Sequence, residues 1–235
     1  MRIIRGTKNI VDPIPYPVMA IGNFDGVHVG HQTLFCKTAE LALAHGGTSI
    51  AFTFEPHPLK IIAPGKAPPL LTHFKKKMEL IESCGVNMVI CADFTRKFAD
   101  QQPRDFSRNI LFEKIAVKEI VVGFDYAFGR GREGTIPYLK KMGDEFGFQV
   151  HVVEPFKLKG HTVSSSHVRE LIEAGQVESA SQFLGRDYSI IGPVISGYKT
   201  GQAIGFPTAN IDTSKVQIPG TGVYAVRVVY ANKSY

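Results

Sequence analysis

Two histidines set three residues apart carry the strongest chemical signal in this chain. His28 and His31 close the run Gly22-Asn23-Phe24-Asp25-Gly26-Val27-His28-Val29-Gly30-His31, which follows the apolar stretch Tyr16–Ile21. An imidazole can donate to a phosphate oxygen and stabilise charge that develops there. A glycine-rich turn between a strand and a helix presents free backbone N–H groups to an anion. Gly30, between the histidines, lets the backbone approach a ligand closely. Asn23 and the backbone of Gly22, Phe24 and Asp25 are expected to shape the same turn. His-x-x-His also occurs as half of a zinc site, but no further Cys or His cluster lies at ligand spacing. An ordinary glycine turn is the third reading.

Two other segments have phosphate chemistry. Gly123–Gly134 holds four glycines in twelve residues together with Arg130 and Arg132, whose guanidinium forks match phosphate oxygens. A flexible surface loop is the alternative there. Val163-Ser164-Ser165-Ser166-His167-Val168-Arg169 opens a predicted helix. Its serine hydroxyls either cap that helix or bind phosphate, and Arg169, one turn in, reaches the same anion.

The elements that must position these residues are legible from periodicity. Strands are predicted at Val18–Ile21, Thr48–Phe54, Met88–Cys91, Ile120–Val122 and Gln149–Val153. Helices are predicted at His31–His45, Thr72–Cys84, Pro103–Ile115 and Thr135–Phe146, with Thr72 and Thr135 as N-caps. Two more, Ser165–Glu173 and Val177–Leu184, end before Gly175 and Gly185. Such alternation predicts an α/β fold with a doubly wound, mainly parallel sheet and ligands at the carboxyl ends of its strands. Each phosphate motif falls at such an end. From Asp187 the pattern changes to β-type runs at Tyr188–Val194, Ala203–Ile211 and Val223–Tyr230. Two domains are therefore expected, 1–186 and 187–235, the second all-β.

Composition narrows the class. The 235 residues are 44% hydrophobic with a formal charge of +6, which suits a globular, soluble protein for anionic ligands. No apolar run approaches a membrane span and the N-terminus lacks a signal h-region, so the cytoplasm is the expected compartment. Cys36, Cys84 and Cys91 read as reduced packing residues. The Lys75-Lys76-Lys77 run reads as a solvated helix face, and no aromatic–basic nucleic-acid motif is present.

With these residues in place, a resemblance becomes visible. His28-Val29-Gly30-His31 looks like the His-x-Gly-His signature of the nucleotidyltransferase superfamily. The three motifs in this order, with Phe54-Glu55-Pro56-His57-Pro58 and Leu184-Gly185-Arg186-Asp187-Tyr188, resemble the adenylyltransferase module of the bacterial bifunctional riboflavin kinase/FMN adenylyltransferases, or FAD synthetases. Gly192–Ile211, with its Gly205-Phe206-Pro207-Thr208-Ala209-Asn210 run, and Pro219–Ala225 look like the start of that family's riboflavin kinase barrel. The Thr208 hydroxyl and Asn210 carbonyl are hard oxygen ligands suited to Mg²⁺.

The resemblance implies a Rossmann-like nucleotidyltransferase domain that makes FAD and pyrophosphate from FMN and ATP, with Mg²⁺, and a module that phosphorylates riboflavin. Catalytic roles fall on His28, His31, Ser165 and Arg169. Nucleotide and flavin contacts fall on Gly22–Asp25, Gly30, Ser164, Gly129 and Arg130, with Phe54, Pro56, Phe124 and Phe128 as an apolar flavin wall and Asp125 orienting FMN or metal. Gly205, Phe206 and Pro207 would hold the kinase phosphates, and Thr208 and Asn210 its metal. Ser166 stands where the family's Ser-Ser-Thr motif has Thr and keeps the hydroxyl. The family's catalytic Glu follows in a later strand, so the kinase half is expected to be incomplete at Tyr235. The expected partners are nucleotides and flavins, with neither nucleic acid nor membrane, and a weak homo-oligomer is compatible. Another nucleotidyltransferase, or a non-catalytic nucleotide- or flavin-binding protein, stays open on these residues.

Overall fold

A computed structural model describes residues 1–197, 201, 205–231 and 233–234. The alternating pattern folds into a six-stranded sheet, all of whose pairings are parallel. Its strands are β1 (Arg2–Arg5), β2 (Pro17–Ile21), β3 (Thr48–Glu55), β4 (Met88–Asp93), β5 (Glu119–Gly123) and β6 (Gln149–Val153), in spatial order β1-β4-β3-β2-β5-β6. All five residues of β2 are buried, as a central strand covered on both faces requires. From β2 the chain builds outward through β3 and β4, then crosses back to add β5 and β6. The reversal therefore lies between β2 and β5, and ligands bind at such a switch point.

Alternation along the strands sorts the core into two layers. Met19, Ile21, Ile50, Phe52, Ile90, Ile120 and Val122 face one side, with Leu139 and Met142 of α6 (Ile136–Phe146) and the Pro103–Lys114 helical segment. Val18, Ala20, Ala51, Val89 and Val121 face the other, with Leu34, Phe35 and Ala42 of α1 (Val29–Ala44) and Met78 and Ile81 of α3 (Phe74–Ser83). Each fully buried aliphatic side chain contributes roughly 1.5–3 kcal/mol. A third cluster joins Leu71 to α7 (Ser165–Glu173) and α8 (Val177–Leu184) over the carboxyl end of the sheet.

Several expectations need correction. Strand β1 carries no sequence signal, because four residues that begin and end in arginine have too little pattern for an edge strand. The Pro103–Ile115 helix is a short α-turn, Pro103–Phe106, that runs into a π-helix, Ser107–Lys114. His73, not Thr72, is the N-cap of α3. Cys36 is exposed rather than packed, whereas Cys91 is buried. Lys77 is buried, not solvated. Past Asp187 the described residues form two-residue antiparallel strands, Val194–Ile195 with Asn210–Ile211 and Val229–Tyr230 with Lys233–Ser234, and a single parallel bridge from Val216 to Leu70. Tyr198–Thr200, Gln202–Ile204, Asn232 and Tyr235, within the expected second domain, lie outside the described residues.

Candidate active site

Strand β2 delivers the chain into a turn whose backbone is held against its own preferences. Phe24 and Val27 adopt φ of 54° and 43°, and Gly26 83°. Positive φ is costly for a β-branched residue, and such strain persists only where surroundings over-determine it. Here Phe24, Asp25, Val27 and His28 are each 5% exposed or less. The turn is fixed before any ligand arrives.

Its two histidines stack, with ring centroids 3.6 Å apart and planes 17° from parallel. His28 is the N-cap of α1, and its Nδ1 accepts from the His31 backbone N–H at 3.3 Å. An accepting Nδ1 puts the proton of the neutral ring on Nε2, leaving that nitrogen a donor. Glycine suits position 30, because a Cβ there would lie 3.2 Å from His28 Nδ1, a tight contact for the ring to yield to. Burial pushes the His28 pKa down to about 4, helped by Arg186 and Arg169. His31 is pushed well below the usual value by burial, then by His28 and Lys77. Both rings are therefore neutral at pH 7. His31 Nδ1 is buried with no hydrogen-bond partner among the described residues, an exception to the rule that buried polar atoms are paired.

Cations and a single carboxylate surround the pair. Asp25 accepts from the backbone N–H of Leu71 (3.1 and 3.0 Å) and Thr72 (3.2 Å) and pairs with the Arg169 guanidinium from α7. Arg169 Nε also donates to Pro69 O at 2.9 Å. Ser165 Oγ donates to Asp25 O at 2.9 Å, so the serine motif closes on the histidine turn. Ser164 caps α7, accepting from His167 N–H at 3.2 Å. Arg186 donates to Gly26 O at 2.6 Å and Val27 O at 3.3 Å. Lys77 Nζ donates to Asn23 O and to Thr53 Oγ1, both at 3.3 Å.

Thus His28, His31, Gly22, Asn23, Phe24, Asp25, Gly30, Ser164, Ser165 and Arg169 come together at the carboxyl ends of β2 and β3. The candidate flavin wall is divided. Phe54 and Phe128 belong to a connected array through Phe94, Phe98 and Phe106 on the α6 face. Phe124 is 47% exposed. Pro56 lies half-buried just past β3, and Asp125 is exposed. Gly129 precedes a short 3-10 turn, Arg130–Arg132, anchored by Arg130 N–H to Gln101 O at 2.8 Å. Gly205, Phe206, Pro207, Thr208 and Asn210 are all exposed and join no part of the histidine cluster.

Sequence reasoning gave no role to Lys77, Thr53, Arg186, His57 or the Leu71–Thr72 N–H groups. His57 caps α2 (Pro58–Ile62) through its Nδ1, as His28 caps α1. A usable signal existed for it, since both histidines follow the carboxyl end of a strand. Nothing local marked Lys77.

Comparison with known proteins places this geometry. The family model described as FAD synthetase matches residues 15–167, and that described as riboflavin kinase matches 184–235. The chain is 38% identical to the bifunctional riboflavin kinase/FMN adenylyltransferase of Buchnera aphidicola over 235 residues, covering 100% of this chain and 75% of that protein. This chain belongs to the bifunctional riboflavin kinase/FMN adenylyltransferase family. Its relative in Escherichia coli K12 is 38% identical over 97% of this chain and 74% of its own length.

Two solved structures extend the comparison. A Streptococcus pneumoniae crystal structure titled macrolide-efflux protein superposes with a TM-score of 0.86 and 28% identity, covering all of this chain and 77% of that one. Among the described residues of the present chain no helix is long and apolar enough to cross a membrane. A Francisella tularensis pantoate-beta-alanine ligase shares the fold at TM-score 0.50 and 13% identity, over 79% of this chain and 78% of that one.

Proposed function

We propose that the chain transfers the adenylyl group of ATP to the phosphate of FMN at the His28/His31 turn, giving FAD and pyrophosphate. The carrying observation is a stacked histidine pair at a helix N-terminus, with the His31 Nδ1 atom buried and without a partner among the described residues. An FMN phosphate oxygen attacks the α-phosphorus in line, the α–β bridging bond breaks, and pyrophosphate takes the electron pair. The nucleophile is already an anion, so a strong base is unnecessary, and the protein's task is positioning and charge stabilisation. His28 Nε2–H serves as a neutral donor to charge developing on the phosphates. Arg186 and Lys77 hold the turn from below, while Arg169, tied to Asp25, fixes α7 and Ser165 beside it. The aromatic array through Phe54 is the candidate flavin wall.

Residues 1–186 are assigned to this activity and 187–235 to the family's riboflavin kinase unit. Thr208 and Asn210 are exposed and two residues apart at the entry to the Asn210–Ile211 strand, and their hard oxygens would suit Mg²⁺. Near the histidines no group of three metal-ligating side chains occurs among the described residues, which fits an Mg²⁺ carried on the triphosphate. The ion, when bound, offsets phosphate charge. ATP and FMN are phosphorylated metabolites of the cell interior, which supports a cytoplasmic location.

The test is incubation with FMN and either MgATP or MgCTP, followed by chromatography for FAD and a pyrophosphate assay. FAD with equimolar pyrophosphate from MgATP alone is expected. A folded chain that forms neither overturns the reading.

A further inference from the structure

Lys77 is a cation in an unusual position. It lies one turn into α3, 5% exposed, yet no carboxylate among the described residues is within ion-pair distance of its ammonium. Two neutral oxygens, Asn23 O and Thr53 Oγ1, take two of its three donors. Thr53, itself fully buried in β3, donates its hydroxyl hydrogen bond to Asn23 O at 3.1 Å. A buried ammonium paired only with neutral groups is a standing cost to the fold. Such costs are kept where a site needs them.

What stands above it is the histidine turn. Asn23 opens that turn, and its carbonyl is the atom that Lys77 and Thr53 jointly hold. We propose that Lys77 is a positioning residue for adenylyl transfer, a clamp that ties the Asn23 carbonyl to β3 and sets a fixed positive charge beneath His28 and His31 to meet the triphosphate. This inference rests on the adenylyltransferase reading above.

The neighbourhood also makes the clamp visible to pH. His31 faces His28 from its own turn and Lys77 from α3, and both oppose its protonation. His28 faces Arg169 from α7 and Arg186 from beyond α8. Lys77 itself faces Cys91 from β4, Glu55 from the end of β3 and Asp25 from the turn, beyond ion-pair distance, and burial lowers its pKa. His57, past β3, faces Asp25, Arg169, Lys77 and Lys60. Removing the ammonium relieves the repulsion on His31, so its ring accepts a proton at higher pH.

The experiment compares wild type, Lys77→Met, Lys77→Arg and Thr53→Val in kcat, KM for ATP, the pH profile of kcat/KM and thermal denaturation. Lys77→Met is expected to lower kcat by about 10²-fold, the loss that ~1 Å of misplacement brings. Its acid limb should move to higher pH while Tm holds or rises, since an unpaired buried charge is gone. Lys77→Arg should restore part of kcat and return the acid limb. Thr53→Val, which removes the Thr53 half of the clamp and keeps the charge, should lower kcat without moving the limb, and serves as the reading if Lys77→Met does not fold. Wild-type kcat in either Lys77→Met or Thr53→Val overturns the proposal. So does a Lys77→Met loss that follows falling Tm with an unmoved acid limb. Absence of FAD with wild type overturns the function beneath it and is recognised by that failure.

Discussion

The Gly22–His31 turn and the Gly205–Asn210 run are built from similar material: glycine, a phenylalanine, and side chains that can hold phosphate or its metal. In the first, Phe24 is 1% exposed and packs on His31 and Phe35, and three cations, Lys77, Arg169 and Arg186, hold the turn by hydrogen bonds. In the second, Phe206 is 75% exposed, and neighbouring polar groups stand in solvent. The same contrast separates residues 1–186 from those beyond. The buried members of all three core clusters lie in the former, with Tyr188 of the latter packed against the third, whereas Val216 and Gln217 are the buried residues among those described in the latter. Val216 bridges to Leu70, and Gln217 N–H donates to Leu70 O at 2.8 Å. A motif becomes a site when the surrounding fold excludes water, because a dipole aimed at developing charge is worth far more at low dielectric.

The largest effect expected is on the first turn. His28→Ala and His31→Ala should each lower adenylyl transfer by ~10²–10³, the cost of one transition-state donor, with modest change in FMN binding. Steady-state kinetics with fluorescence titration of FMN checks this. Near wild-type turnover in both would erase the contrast between the two runs.

Acid should unmake the buried turn next. His28 has its folded pKa near 4 against 6.5 unfolded, so the unfolded chain binds the proton between those values. Its contribution to stability is complete above pH 6.5 and is lost as pH falls toward 4, by roughly 3 kcal/mol. Denaturant unfolding at pH 7 and pH 4.5 should show a steeper loss in wild type than in His28→Gln.

Arg169→Ala leaves the 4%-exposed Asp25 with its backbone donors but no counter-charge. A loss of about 2–3 kcal/mol is expected, short of the 3–5 of a fully stranded buried charge. Thermal denaturation should report it, with Arg169→Lys recovering part, since a point charge lacks the fork that also reaches Pro69 O. Full recovery by Lys would mean that charge alone suffices.

The smallest effect sharpens the boundary. Limited trypsin digestion should cut at the exposed Lys215 and Arg227 before any site within 1–186. Val216→Asp should hasten that cleavage while FAD formation is retained. Loss of FAD formation in Val216→Asp would show that the two regions act as one.

Much of the site was legible because its signals are local. Ser164 and Thr135 cap the helices their positions announce, and α7, α8 and β6 fall on the predicted bounds. Strand–turn–helix order placed His28, His31 and Ser165 at neighbouring strand ends. The expected reach of Arg169 to an anion is met inside the protein by Asp25, a partner 144 residues away.

Features that depend on neighbours along the chain were legible in residue order: periodicity, caps, glycine turns, the two-histidine motif and the change of pattern at Asp187. Tertiary structure decided what depends on neighbours in space. A lysine in a triplet of lysines looks solvated until α3 packs against β3 and carries Lys77, alone of the three, under the turn. A histidine is titratable near neutrality until burial and adjacent cations drive His28 and His31 to the neutral form. Burial sets the dielectric and the partners of a group, and both are properties of the packed sheet and helices rather than of residue spacing.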